Sequence, residues 1–416
     1  MWWRGSAVAI VALAVMAACT AEPAEVHTPA NGTYPARPSA APETVLALRG
    51  APLIVDGRLR VFASKHEVAA DGPVDVAPAT PPYWSLRRNQ VDLQGVVAVG
   101  KTVVSLWFDG ELVAIDAQSG AISWRARTQP SPGGYAGRRT GAYTVYPLED
   151  LYTAVTGAGR PVVLRSVDGQ IWAFDIESGA LLWHKVFEGS PNCRLHGFTT
   201  SSGEYLTVDA CRNRAAIELY DVATGALART WMYAGGQSEP SPFAAGCRVG
   251  RSECRAVVIP IPTSTPMRAW TFTVGDQVEA AGVTSLTARI VGTVAADSAD
   301  PFGATWATEI VGRDVRTGRE LWRWRAPISG ARLVADQPHM FHVLTGDHEL
   351  VSIDAMTGAV RSRVSLGSGD VKATWGTGNV YASDGFVVIE RLGIGDPIAA
   401  DDEYYFSDRP VLLVAT

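Results

Sequence analysis

Beyond its first eighteen residues, no stretch of this 416-residue chain approaches the roughly 20 consecutive apolar residues that a helix needs to cross a bilayer. Charge is sparse as well, at 19% of residues, and the formal net charge is −6. A basic surface of the kind that holds nucleic acid is therefore not expected. Signatures of catalysis are thin: neither a Gly-x-Ser-x-Gly elbow nor a His-Glu-x-x-His pair occurs. Cysteine never occurs as Cys-x-x-Cys, and no paired histidines accompany it, which disfavours a zinc site. Hydrophobic residues nonetheless make up 47% of the chain, enough for a sizeable core and too many for disorder.

The N-terminus decides the compartment. Arg4 supplies a positive start, and Ala7 to Val15 form an apolar run too short to span a membrane. Met16-Ala17-Ala18-Cys19 then resembles the lipobox of bacterial lipoproteins, in which the cysteine is acylated and the signal is cut off just before it. Met16 stands where that motif usually has Leu; an ordinary secretory signal cleaved near Ala18 is the alternative. Residues 1–18 are thus expected to be a signal peptide. Residues 19–43, rich in Ala, Pro, Thr and Glu, read as a flexible tether, and residues 44–416 as the folded domain. With Cys19 given to lipid, Cys193, Cys211, Cys247 and Cys254 remain, an even set that reads as disulfides in an exported chain. Four cysteines allow three pairings; pairing of neighbours gives Cys193–Cys211 and Cys247–Cys254.

A repeat organises the rest. Glu111 to Asp116 is an apolar run that ends in Asp, followed by Ala117-Gln118-Ser119-Gly120 and then by Ile122-Ser123-Trp124. The pattern returns from Ile171 through Asp175 and Gly179 to Trp183, and from Asp314 through Gly318 to Trp322. Asp221 to Gly225 and Asp354 to Gly358 repeat it without the Trp; Arg229 and Ser362 stand in its place. Short apolar runs of this kind suit buried strands. Asp and Ser or Thr bond the backbone of a tight turn, and the final Gly suits a left-handed position. Asp109-Gly110 and Asp168-Gly169 precede the motif aspartates at one offset, as Asp347-His348 does, and mark a second hairpin in each unit. Degraded copies are expected at Pro52 to Trp84, around Arg268 to Val274, and at Val380 to Arg391 through Asp384-Gly385. The sum is an all-β chain of four-stranded units, a β-propeller of eight blades, with seven as the alternative.

The Asp-x-x-Ser/Thr-Gly-x-x-x-Trp run resembles the repeat of the pyrroloquinoline-quinone-like β-propellers. That family includes quinoprotein alcohol dehydrogenases and the propeller lipoprotein of the outer-membrane β-barrel assembly machine. The resemblance implies that Trp124, Trp183 and Trp322 dock adjacent blades. It does not carry the quinone with it: the adjacent-cysteine pair of the dehydrogenases is missing and no catalytic Asp can be matched, so no cofactor is expected.

Other candidate sites are weak. His339 and His342 lie three apart, which on a strand places them on opposite faces. Asp396, Asp401, Asp402, Glu403 and Asp408 lack EF-hand spacing. The interval from Arg125 to Tyr152 is long and carries Tyr135, Arg138, Arg139 and Tyr143, residue types enriched at interface hot spots. Gly235 to Arg255 is a second candidate surface. These features together predict a monomeric, non-catalytic, membrane-anchored scaffold that binds a protein or a cell-envelope polymer. A quinone-dependent oxidoreductase and a propeller holding a small ligand in its central channel are the alternatives.

Overall fold

The computed structural model describes residues 23–38, 44–78, 80–135, 137, 140–146, 148–188, 194–209, 216–232, 243–259, 268–271, 277–279, 283–287, 290–299, 305–314, 317–367, 375–393 and 408–416. The signal segment, Cys19, Cys193 and Cys211 lie outside the described residues.

The apolar runs between the turn signals are antiparallel strands. They form six sheets of four or five strands and one sheet of eight. The eight-stranded sheet joins two successive four-stranded meanders through the single pair Ala307↔Ala331, so the described meanders number eight. We call them blades 1 to 8 of the β-propeller. In blade 2 the inner strand is Leu93–Val99, followed outwards by Thr102–Trp107, Glu111–Asp116 and Ile122–Arg127. The inner strands of blades 1, 3, 4, 5, 7 and 8 are Leu53–Val55, Leu151–Val155, Arg194–Thr199, Phe243–Ala245, Ala331–Gln337 and Gly376–Ser383. The outer strand of blade 8 comes from the other end of the chain: Val45–Leu48 pairs with Val411–Ala415 and ties the termini together.

The motif turn is built the same way five times. Asp116 Oδ1 accepts the Ser119 N–H and Oγ–H, both at 2.7 Å, while the Gly120 N–H donates to Asp116 O at 2.8 Å. Asp175, Asp221, Asp314 and Asp354 hold the equivalent Ser or Thr at 2.8–2.9 Å. The motif glycines take φ of 68–73°, the left-handed region that a Cβ disfavours. Just after each turn, the outer strand carries a register shift against its neighbour. Such bulges twist the exposed edge and blunt its capacity to pair with another chain.

The same glycine serves a second purpose. The Trp124 indole lies on Gly179 of the next blade, where a Cβ would come within 2.6 Å of the ring, and Trp124 Nε1–H donates to Ile176 O at 2.9 Å. Trp183 repeats this on Gly225 and Val222 O, and Trp322 on Gly358 and Ala355 O. Trp84, at the edge of the degraded first copy, does the same on Gly120 and Ala117 O and is fully buried. In blade 4, Arg229 at the Trp position instead pairs with Glu204 of its own blade at 2.6 Å. A single apolar cluster joins Leu53 and Trp84 of blade 1 to Trp107 of blade 2 and to Val388 and Leu413 of blade 8, which packs the ring across its seam.

Two expectations need correction. Within the presumed tether, Glu25–Thr28 is a strand that pairs with Trp84–Arg88 and adds a fifth strand to blade 1. Further along, the Tyr34 hydroxyl donates to Asp56 and Arg58 Nη1 to Pro35 O, so residues 23–37 lie against the propeller. Low apolar content concealed this because the contacts are mostly backbone and polar. Second, Asp384-Gly385 joins the first and second strands of blade 8, a different hairpin from that of Asp109-Gly110; Asp56-Gly57 is its counterpart in blade 1.

Two outcomes are expected. Trp84→Ala removes a fully buried indole and should cost about 3–5 kcal/mol by urea unfolding; half-buried Trp183→Ala should cost less. Equal costs would mean that burial does not set the strength of the dock. The second concerns pH. Burial raises the Asp175 carboxyl, but hydrogen bonds from Ser178 and Arg160 outweigh it and hold the group down at about 2. A hydrogen bond from Arg361, against burial, and the Thr357 bonds hold Asp354 at about 2. These values lie below the ordinary value of about 3.9. The stability they give is therefore complete above about pH 4 and lost as pH falls through about 2. Asp175→Asn with Asp354→Asn should flatten acid unfolding in that window; an unchanged profile would refute the assignment.

Candidate functional site

The antiparallel meander sets two faces. Each inner strand begins on what we call the start face; the Asp-x-x-Ser/Thr-Gly turns lie on the opposite, turn face. Both segments singled out as candidate binding loops enter the axis of the ring, one from each face.

The insert between blades 2 and 3 leaves from the start face. Its residues 140–146 include one helical turn, Ala142–Val145. Thr140 O accepts the Ala51 N–H at 2.5 Å, and the Thr140 hydroxyl donates to Glu390 of blade 8 at 2.6 Å. Glu390 is buried and also accepts the Asn379 N–H at 3.0 Å, so its carboxylate is hydrogen-bonded from two segments. The Tyr146 hydroxyl donates to Pro52 O, and its ring stacks on Tyr381 of blade 8 at 5.0 Å. Tyr146 and Tyr152 are buried, and Tyr135 and Tyr143 are half-buried. Burial pushes the Tyr135 and Tyr146 phenols up. Arg138 and Arg139 lie outside the described residues.

The insert of blade 5, residues 246–255, enters from the turn face and is closed by the Cys247–Cys254 disulfide. Arg248 Nη2 donates to Ala98 O of blade 2 at 3.1 Å and to Thr153 Oγ1 of blade 3 at 3.0 Å. The Thr153 N–H donates to Ser252 Oγ at 2.9 Å, and the Cys254 N–H to Thr199 O of blade 4 at 2.8 Å. Arg255 reaches Asp336 of blade 7 at 3.6 Å. Between the inserts, Arg251 pairs with Glu149 at 3.0 Å, and a Cβ on Gly250, which has φ of 56°, would collide with Tyr146 O. The axis is therefore closed by the chain's own backbone. Beside the plug a cavity of about 350 Å³ remains, lined in part by Tyr146, Arg248, Asp336, Asn379 and Tyr381. Burial pushes Tyr381 up to about 12.

Other candidates resolve into structure. His342 is buried between Gln337 and Ser352, and burial lowers it to about 4. His339 occupies a turn at φ 69°. Among the described residues no three His, Cys, Asp or Glu side chains gather as metal ligands. Asp396, Asp401, Asp402 and Glu403 lie outside the described residues. No phosphate-binding loop is expected from the sequence, yet Gly95 to Thr102 spells its Gly-x-x-x-x-Gly-Lys-Thr pattern. Here it folds as the inner strand of blade 2, a Gly100-Lys101 hairpin and the next strand. Its backbone amides serve the sheet, and no helix follows to cradle a phosphate.

The plug itself was not foreseen. Its signals were the length of the first insert and the close Cys247–Cys254 spacing, and both were read as surface features. Tyr146→Ala should cost about 3–5 kcal/mol in stability, as other buried aromatics do. Pro132→Ala, on the exposed part of the same insert, should cost no more than about 1 kcal/mol, the effect of freeing the unfolded chain at a loop proline. Comparable losses by thermal melting would contradict the plug.

Comparison with known proteins bears on the repeats. Residues 83–229 match a family described as "Outer membrane protein assembly factor BamB". No curated protein matches the chain by sequence. Among solved structures, BamB from Moraxella catarrhalis is 17% identical, with 90% of this chain and 98% of that one covered and a TM-score of 0.48. The C-terminal WD40 domain of Sif2 is 11% identical, with 91% and 99% covered and a TM-score of 0.49. The dihydro-heme d1 dehydrogenase NirN, in complex with DHE, is 16% identical, with 82% and 77% covered and a TM-score of 0.47. The family match spans three of the five motif turns, those of Asp116, Asp175 and Asp221, and over residues 83–229 the repeats are of the pyrroloquinoline-quinone-like β-propeller type.

Proposed function

We propose that the protein is an exported, lipid-anchored scaffold that binds a protein or cell-envelope component and performs no chemistry of its own. The observation that carries this reading is the closed axis. Two inserts fill the middle of the ring and are pinned to blades 1, 2, 3, 4, 7 and 8. The result is a stiff disc whose loops and rim are left to meet partners. The family matched at residues 83–229 bears the name of an outer-membrane assembly factor, and a protein-binding role agrees with that name. Among the described residues no helix is long and apolar enough to cross a membrane; the proposed anchor is a lipid on Cys19, from its lipobox-like setting. Arg138 and Arg139, with Tyr135 and Tyr143 beside them, remain the proposed contact residues of the first insert. Its neighbouring Pro132 to Gly134 are exposed. The cavity of about 350 Å³ favours a second reading, a small polar ligand held beside the plug.

Cys19→Ser should move the protein from the detergent phase to the aqueous phase; retention with detergent would remove the lipid anchor from the account. Replacing Arg138 and Arg139 by Ala should weaken crosslinking to membrane partners and leave melting nearly unchanged. Arginines at an interface centre contribute about 2 kcal/mol or more. Purified protein supplied with calcium and pyrroloquinoline quinone should show no dye-linked alcohol or sugar oxidation. Turnover there would overturn the scaffold reading.

A further inference from the structure

We infer that the propeller sits with its start face, at the rim of blade 1, toward the bilayer, and holds the turn face with its disulfide-closed insert away from it. This rests on the proposed lipidation of Cys19. The argument begins with the extra strand. Glu25–Thr28 runs antiparallel to the outer strand of blade 1, with Glu25 opposite Arg88, so the strand enters at the start face. Its beginning is fastened there. The Asn89 N–H donates to Ala24 O at 2.9 Å and Asn89 Nδ2 to Pro23 O at 2.8 Å. Glu25 bonds Arg125 of blade 2 at 2.5 Å and lies 3.7 Å from Arg88. The other end reaches the turn face, where His27 bonds Gly120 O at 2.7 Å and the Ala30 N–H donates to Ser119 O at 2.9 Å.

Lengths then fix the orientation. Four residue steps separate Cys19 from Pro23, and a fully extended chain gains at most about 3.6 Å per step, or about 14 Å in all. A blade of six-residue strands is about 20 Å tall. A lipid on Cys19 therefore cannot bring the turn face of blade 1 to the membrane while the extra strand stays paired. The tether expected at residues 19–43 would have allowed any orientation; the short leash excludes the one with the turn face on the membrane. A partner approaching from the aqueous side then meets the motif turns and the disulfide-closed insert first.

The test uses the lipidated full chain in vesicles whose headgroups carry a nitroxide, a quencher of short range. Single fluorophores are placed through Gln90→Cys on the start face and Gln118→Cys on the turn face, both exposed positions near the blade 1–blade 2 boundary. Fluorescence is expected to be lost at position 90 and retained at position 118. A long Gly-Ser insertion between Cys19 and Pro23, outside every described contact, should abolish the difference. Equal quenching at both positions, or a difference that survives the insertion, overturns the orientation while the anchor stands. Protein that fails to partition into detergent overturns the anchor and the orientation together.

Discussion

The contact on which the fold depends is the indole of one blade lying on the turn glycine of the next. It uses one residue type for two requirements. The glycine must take a positive φ to close the Asp-x-x-Ser/Thr-Gly turn, and it must lack a Cβ so that the Trp can reach the turn backbone. The indole N–H then donates to the carbonyl just after the motif Asp. Turn and dock thus specify each other where blade 1 meets 2, 2 meets 3, 3 meets 4 and 6 meets 7. Between blades 4 and 5 the Trp is replaced by Arg229, which turns back to Glu204, and the junction is made instead through Thr199, Cys254 and the disulfide-closed insert.

Closure along the axis follows the same economy of parts. The connection after blade 2 and the first hairpin of blade 5 are lengthened, and the extra residues are used inward. Buried Glu390 takes hydrogen bonds from Thr140 and Asn379, so its carboxyl oxygens are not left unpartnered in the core. Tyr146 and Gly250 meet where the inserts come together. A ring whose blades are bridged across the axis by two inserts resists relative motion of those blades. That suits the proposed platform, whose partners would meet its faces and rim.

Much of this was legible in the sequence. The strand-turn-strand grammar and the five motif turns follow from local chemistry, because Asp, Ser or Thr, and Gly act on backbone within a few residues; the docking role of Trp124, Trp183 and Trp322 followed only from the family resemblance. Trp84 was hidden because its own repeat has lost the motif turn that would have announced it. The plug was hidden for a different reason. Tyr and Arg among Gly and Pro describe a surface loop and an inward-folded insert equally well, and only long-range packing decides between them. The extra strand at Glu25–Thr28 was missed because an edge strand held by backbone bonds and ion pairs needs little hydrophobic signal. The Gly95 to Thr102 pattern shows the converse: a motif match without strand-loop-helix context is only a hairpin.

The closed axis is the claim on which the functional reading turns, and amide hydrogen exchange followed by mass spectrometry tests it most directly. Exchange reports the local opening free energy, which is near zero for mobile surface loops and approaches the global value in cores. Peptides covering residues 140–146 and 246–255 should be protected to the same degree as the inner strands Leu93–Val99 and Leu151–Val155. Exchange in both segments as fast as at the exposed Gly133 and Gly134 would mean that the inserts do not hold the axis, and the ring would have to be treated as open.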